Sequence, residues 1–173
     1  MFKKILFILL GAVVAAIAGF FIIGLVKPKY EGTVSIVVNA PASKTFAVFN
    51  DTANMRKWQP TFIKMENISG AANEPGSKWR LFYDEHGREL VMTETVTAFE
   101  QDKLFAFTLE DEFANFQIEI RFEENNGQTT ITQTDRGEGN SLSAKSMIAL
   151  MGGSIRKHQL EMYTRLKELV EKS

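Results

Sequence analysis

The sequence of 173 residues has no cysteine. Disulfides, thiolate nucleophiles and cysteine-ligated metals are therefore excluded, and cysteine usage says nothing of the redox compartment. Histidine is scarce, with two in the chain, and proline little commoner, with four. No phosphate loop, HExxH or nucleophile motif occurs, and no Ser/His/Asp set assembles by spacing. The chain also lacks a basic cluster. Four of its 20 basic residues, Lys3, Lys4, Lys27 and Lys29, lie in or beside the N-terminal segment, and no acid precedes Glu31. The rest therefore sets 16 bases against 21 acids. An acidic domain of this kind is a poor nucleic-acid binder, so no nucleic-acid partner is expected.

What the chain does have is a long apolar run. Residues 5–26, from Ile5 to Val26, contain no charge and no proline. As a helix they span about 33 Å, enough to cross a bilayer core. Ala16-Ile17-Ala18 resembles a signal-peptidase site, but the apolar run continues past it to Val26, where a cleaved signal turns polar. The expectation is an uncleaved single-pass membrane anchor. The terminal amine with Lys3 and Lys4 slightly outweighs Lys27 and Lys29, which favours a cytoplasmic N-terminus and an extracytoplasmic domain. Residues 1–29 are thus read as anchor and flanks, and residues 30–173 as one domain, expected to be a monomer. Residues 27–32 read as the linker, with a reach of about 20 Å.

Hydropathy alternates beyond the linker. Residues 33–38 place Val34, Ile36 and Val38 on one side of a strand. Pro41 marks the start of a short helix carrying Phe46 and Phe49, and residues 51–57 form a second. Strands follow at 62–69, 78–85, 89–99, 103–110, 115–123 and 129–136. His86-Gly87 and Asn126-Gly127 are turn signals between them. Residues 142–171 form a long amphipathic helix, with Ile148, Met151, Ile155, Met162, Leu166 and Leu169 at helical spacing. The pair Gly152-Gly153 predicts a kink or a close contact there. A long helix after so many strands must bury its apolar side on their sheet, an α+β architecture.

The order strand, two short helices, six strands, long helix resembles the START-like (SRPBCC) superfamily, which has the helix-grip fold and includes polyketide cyclase/dehydrase-like proteins. The segments carrying the resemblance are residues 34–42 running into Phe46 and Phe49, Asn54 to Trp58-Gln59-Pro60, the Gly76 turn before Trp79, and Val96 before Asp102-Lys103-Leu104. Gly127 to Thr132 and the closing helix through Leu166-Lys167-Glu168-Leu169 complete it. The resemblance covers residues 33–171. It implies a curved seven-stranded antiparallel sheet around the C-terminal helix, with a hydrophobic ligand, lipid-like in character, between them. An N-terminal anchor departs from the soluble members.

The candidate ligand-binding residues are Trp58, Trp79, Leu81, Tyr83, Met92, Glu94, Phe107, Phe116, Ile118, Ile120, Met147, Met151 and Ile155. Each is equally a core residue in an ordinary packed interior. Glu94 faces the interior if Leu90, Met92 and Val96 do, and a carboxyl buried there can act as acid or base. Gln133 and Asp135, in phase with Ile131, pose the same question. His86, beside Asp84 and Glu85, reads as a solvated turn rather than a metal ligand, and His158 as a flank of the helix. No catalytic residue, metal or cofactor is assigned. Asn67-Ile68-Ser69 matches a glycosylation sequon, a frequent chance pattern. Three functions remain open: a membrane-tethered binding or transport module for an apolar small molecule, a cyclase or dehydratase using a buried carboxylate, and a partner-binding domain with a filled interior.

Overall fold

The computed structural model describes residues 2–173. It begins with α1 (Phe2–Val26), then β1 (Lys29–Val38), α2 (Ala42–Asn50), a 3-10 turn at Thr52–Asn54 and α3 (Met55–Trp58). Six strands follow: β2 (Phe62–Ser69), β3 (Lys78–Glu85), β4 (Arg88–Glu100), β5 (Leu104–Glu110), β6 (Ala114–Asn125) and β7 (Gln128–Gly139). The chain closes with α4 (Leu142–Lys172). All seven strands form one antiparallel sheet in the order β1-β7-β6-β5-β4-β3-β2. The α+β helix-grip architecture is therefore present.

Local chemistry explains the hairpins. His86-Gly87 and Asn126-Gly127 have positive φ at both residues, 56° and 81° in the first and 52° and 74° in the second. Such turns match the twist of paired strands, and their second position suits glycine. At the start of α4 the Ser141 hydroxyl accepts a hydrogen bond from the Ala144 amide at 3.1 Å, capping the helix.

Strand alternation sorts the sheet into two faces. On β6, Phe116, Ile118, Ile120 and Phe122 point inward, while Gln117, Glu119, Arg121 and Glu123 meet solvent. The closed part of the core lies where α2, α3 and the C-terminal half of α4 meet β1, β6 and β7. Phe46 and Phe49 of α2 pack on Phe122, with ring centroids at 4.9 and 5.2 Å. Each such ring contributes roughly 1.5–3 kcal/mol by burial, and each aromatic pair about 0.5–1.5 kcal/mol more.

Two expectations need correction, and one of two alternatives is settled. The linker of residues 27–32 is mostly strand: β1 starts at Lys29, and only Lys27 and Pro28 separate it from α1. Tyr30 and Gly32 continue the inward alternation of Val34, and pairing with Gly137 and Asp135 supplies their backbone partners. α4 runs unbroken through Gly152-Gly153. The close contact is there, however, because a Cβ at Gly152 would lie 3.0 Å from the Tyr30 ring, while one at Gly153 would meet nothing within 4 Å. Of the expected stripe, Met151 is exposed, while Ile148 and Leu166 are buried and Ile155, Met162 and Leu169 pack partly against the core, and α4 buries Gln159, Tyr163 and Val170 as well.

Candidate functional site

The register places the inward side chains in rows across the sheet. One row runs Tyr30, Gly137, Phe116, Leu109, Glu94, Trp79 from β1 to β3. The next runs Gly32, Asp135, Ile118, Phe107, Val96 from β1 to β4. The two glycines leave room that rings occupy: the Tyr30 phenol lies over Gly32, and the Phe116 ring lies against Gly137.

These rows are unevenly covered. α4 packs on β1 and β7, and there the inward residues are closed off. Toward β3, β4 and β5, Trp79, Tyr83, Leu90, Met92, Phe107 and Leu109 point inward yet remain partly exposed. So do Phe116 and Ile118 on β6 and Ile155 and Met162 on α4. Phe107, Ile118 and Met162 still touch the closed core, but the inward surface of this half of the sheet is apolar and incompletely covered, and we term the space between it and the long helix the groove.

The expected ligand-binding residues divide accordingly. Trp79, Tyr83, Met92, Phe107, Phe116, Ile118 and Ile155 border the groove, with Glu94 and Leu81 buried in its floor. Trp58 and Ile120 belong instead to the closed core, each 3% exposed. Met147 and Met151 are placed wrongly by the sequence reading: they are 47% and 45% exposed on the outside of α4. Each precedes an inward residue, Ile148 or Gly152, by one position, and one residue turns a helix by about 100°. His86 sits on the exposed β3–β4 turn and His158 on the exposed side of α4.

Two polar clusters interrupt the apolar interior. In the first, Asp135 is 1% exposed. Its carboxylate accepts hydrogen bonds from Gln133 Nε2 and Gln159 Nε2, both at 2.7 Å. The Tyr163 hydroxyl donates to Gln133 Oε1, so the chain of bonds joins β7 to α4. Burial pushes the Asp135 carboxyl up, and the two amide donors pull it partly back. Burial also raises the Tyr163 phenol, with the Asp135 charge adding to the effect. Trp58 stacks on Tyr163 at 6.3 Å. Tyr30 and Gln159 were missed as members of the inward face. Following the steps 148, 152, 155, 159, 163, 166 and 170 would have found Gln159 and Tyr163.

The second cluster is Glu94. It is 6% exposed, and no hydrogen bond reaches its carboxylate among the described residues. Burial alone pushes it up to about 7. The neighbouring Tyr83 is partly exposed as a residue, but its phenol is also raised, by burial first and then by the Glu94 charge. Glu94 can therefore present either a proton or a negative charge to a molecule in the groove near neutral pH. Asp135 lies three strand spacings away, about 14 Å along the sheet. The two carboxyls are too far apart to share one proton.

A cleft of about 610 Å³ is lined by Lys29, Glu31, Asn115, Gln117, Arg136 and Glu138 among others. Tyr30 and Phe116 line it as well, and Lys145 of α4 reaches it and pairs with Glu138 at 2.7 Å, so the cleft lies beside the start of α4 and adjoins the groove at Phe116.

Solved structures share this arrangement. The Zhui aromatase/cyclase from Streptomyces sp. R1128 aligns with a TM-score of 0.70 at 13% identity, over 83% of this chain and 94% of its own. Ara h 8.0201 aligns at 0.66 and 13% identity, over 84% and 99%. A protein from Thermus thermophilus aligns at 0.67 and 12%, over 83% and 98%. At such identities the likeness is one of fold. Comparison with curated proteins gave no match. The family described as "Polyketide cyclase / dehydrase and lipid transport" matches residues 30–171. That match runs from the first strand to the last turn of α4, taking in the whole sheet and the helix it grips, and the chain belongs to this family.

Proposed function

We propose that the domain binds a single apolar, lipid-like molecule in the groove between α4 and strands β3 to β6, and that α1 holds it at a membrane. The observation that carries this reading is the partial exposure of Trp79, Met92, Leu109, Phe116 and Ile118, all inward and apolar. A filled core would have buried them, as it buries Ile120 and Ile131. An apolar guest removes that surface from water at about 25 cal/mol per Å². At 25 residues, α1 is long and apolar enough to span a bilayer. Gly24, near its end, is buried against Ser146 of α4, which supports retention of the helix in the mature chain. The excess of positive charge at the N-terminus favours an extracytoplasmic domain.

Glu94 favours one second reading. A carboxyl held near neutrality in an apolar groove suits acid or base work in a cyclisation or dehydration.

Photocrosslinking separates a bound guest from an empty groove. The full chain in polymer nanodiscs is exposed to a diazirine fatty acid and irradiated, and the crosslinked peptides are mapped. Adducts are expected on peptides holding Trp79, Met92 and Phe116, and Ile118→Trp, which fills the groove, should abolish them. Adducts confined to α1 would refute groove binding.

A further inference from the structure

The outside of α4 changes character along its length. In its first half it exposes Leu142, Met147, Leu150 and Met151, at 37%, 47%, 58% and 45%. In its second half the side of Met147, Leu150 and Met151 carries Lys157, His158, Glu161 and Arg165, all exposed, while Leu160, 46% exposed, lies off that side on the azimuth of Leu142. Helical geometry puts 147, 150, 151, 158, 161 and 165 on one flank, so this is one surface meeting two surroundings. Residues 146–155 contain no charge, and no acid occurs between Glu138 and Glu161.

The apolar half is also the half that touches α1. Gly24 is buried where a Cβ would lie 2.8 Å from the Ser146 amide and 2.9 Å from the Leu142 carbonyl. α1 likewise has no acid, and its apolar side chains are exposed along its length. Lys27 and Lys29 stand at its end, and Arg156 and Lys157 follow the uncharged stretch of α4. All four are exposed. Two neighbouring acid-free helical surfaces, apolar and bordered by bases, match a bilayer: hydrocarbon against the apolar side chains and anionic headgroups against the bases.

We infer that residues 146–155 of α4 are seated in the bilayer beside α1, with Met147, Leu150 and Met151 in contact with lipid and Lys145 at the border, paired with Glu138. The occupant of this surface is a membrane containing anionic lipid. The inference rests on the reading of α1 as a membrane anchor and adds a second inserted element to it. It places Gly152 and Ile155, which face Tyr30 and the groove, one helix width from the lipid. A guest then passes between bilayer and groove along α4 without crossing water.

The lack of cysteine makes the test direct, because a single introduced cysteine carries the only label. The full chain with Val13→Cys, Met147→Cys, Leu150→Cys or Arg165→Cys is labelled with a nitrobenzoxadiazole dye. Each is reconstituted in phosphatidylcholine–phosphatidylglycerol vesicles containing nitroxide-labelled lipid. Labels at 147 and 150 should shift to the blue and lose fluorescence to the nitroxide as the label at 13 does, while the label at 165 keeps its emission. If 147 and 150 behave like 165 while 13 is quenched, the inference falls and the anchor stands. If 13 also escapes quenching, the anchor reading falls with it.

Discussion

Replacing Glu94 with glutamine tests the groove's electrostatics in one step. The carboxyl is pushed from 4.5 to about 7 by burial. A rise of that size corresponds to ~3 kcal/mol, at about 1.36 kcal/mol per pKa unit. The folded carboxyl stays protonated until pH nears 7, whereas the unfolded one ionises from about 4.5. Between those values the unfolded chain binds fewer protons, so stability falls as pH rises and levels off above 7. Asp135, also raised, adds a loss of the same sign. Glutamine keeps the size of the neutral acid and one acceptor oxygen, adds one N–H donor, and cannot ionise. The variant should match the parent near pH 4.5 and exceed it by ~3 kcal/mol at pH 8, retaining only the Asp135 slope. Urea unfolding of the full chain in detergent, followed through Trp58 and Trp79 at pH values from 4.5 to 8.5, measures this. Equal pH dependence in both proteins, or a parent that gains stability between pH 4.5 and 7, would refute the argument.

Two further outcomes follow from the packing. Gly153→Ala adds a methyl to open space in a continuous helix and should stabilise by about 0.5–1 kcal/mol. Gly152→Ala sets its Cβ 3.0 Å from the buried Tyr30 ring and should forfeit that gain, so thermal melts of the two single variants should separate. Tyr163→Phe deprives the buried Gln133 Oε1 of its donor and should cost about 1–3 kcal/mol, measured by urea unfolding. If Tyr163→Phe proves neutral, the chain of bonds from α4 to β7 contributes no stability.

Much of the fold was legible because β6 alternates cleanly. Phe116, Ile118, Ile120 and Phe122 declare one face by themselves, whereas β4 offers two apolar-looking parities, and only its pairing with β3 and β5 turns Leu90, Met92, Glu94 and Val96 inward. Tyr30 was lost because the charged neighbours Lys29 and Glu31 look like linker. Strand pairing, a long-range event, decides that Lys29 to Gly32 are extended. The methionines of α4 were misplaced for another reason. The first half of that helix is apolar on two sides, and hydropathy cannot say which side a sheet will cover. The groove was legible only as an implication of the family resemblance, since its openness depends on how far the sheet curls beneath α4.

The two-residue joint at Lys27-Pro28 bears on how the whole molecule can point. The Lys27 amide still donates to the Ile23 carbonyl at 2.8 Å, so the helix hands over almost directly to proline, whose φ is fixed by its ring. β1 begins at the next residue and is locked into the sheet by β7. A flexible tether would let the domain tumble and sample every heading. This joint makes it a head on a stiff neck. Tilting α1 tilts the sheet, and spinning α1 about its long axis sweeps the mouth of the groove around the same axis. The heading of the groove is thus fixed by the apolar helix at the other end of the chain, and lengthening the joint by a few glycines would uncouple the two.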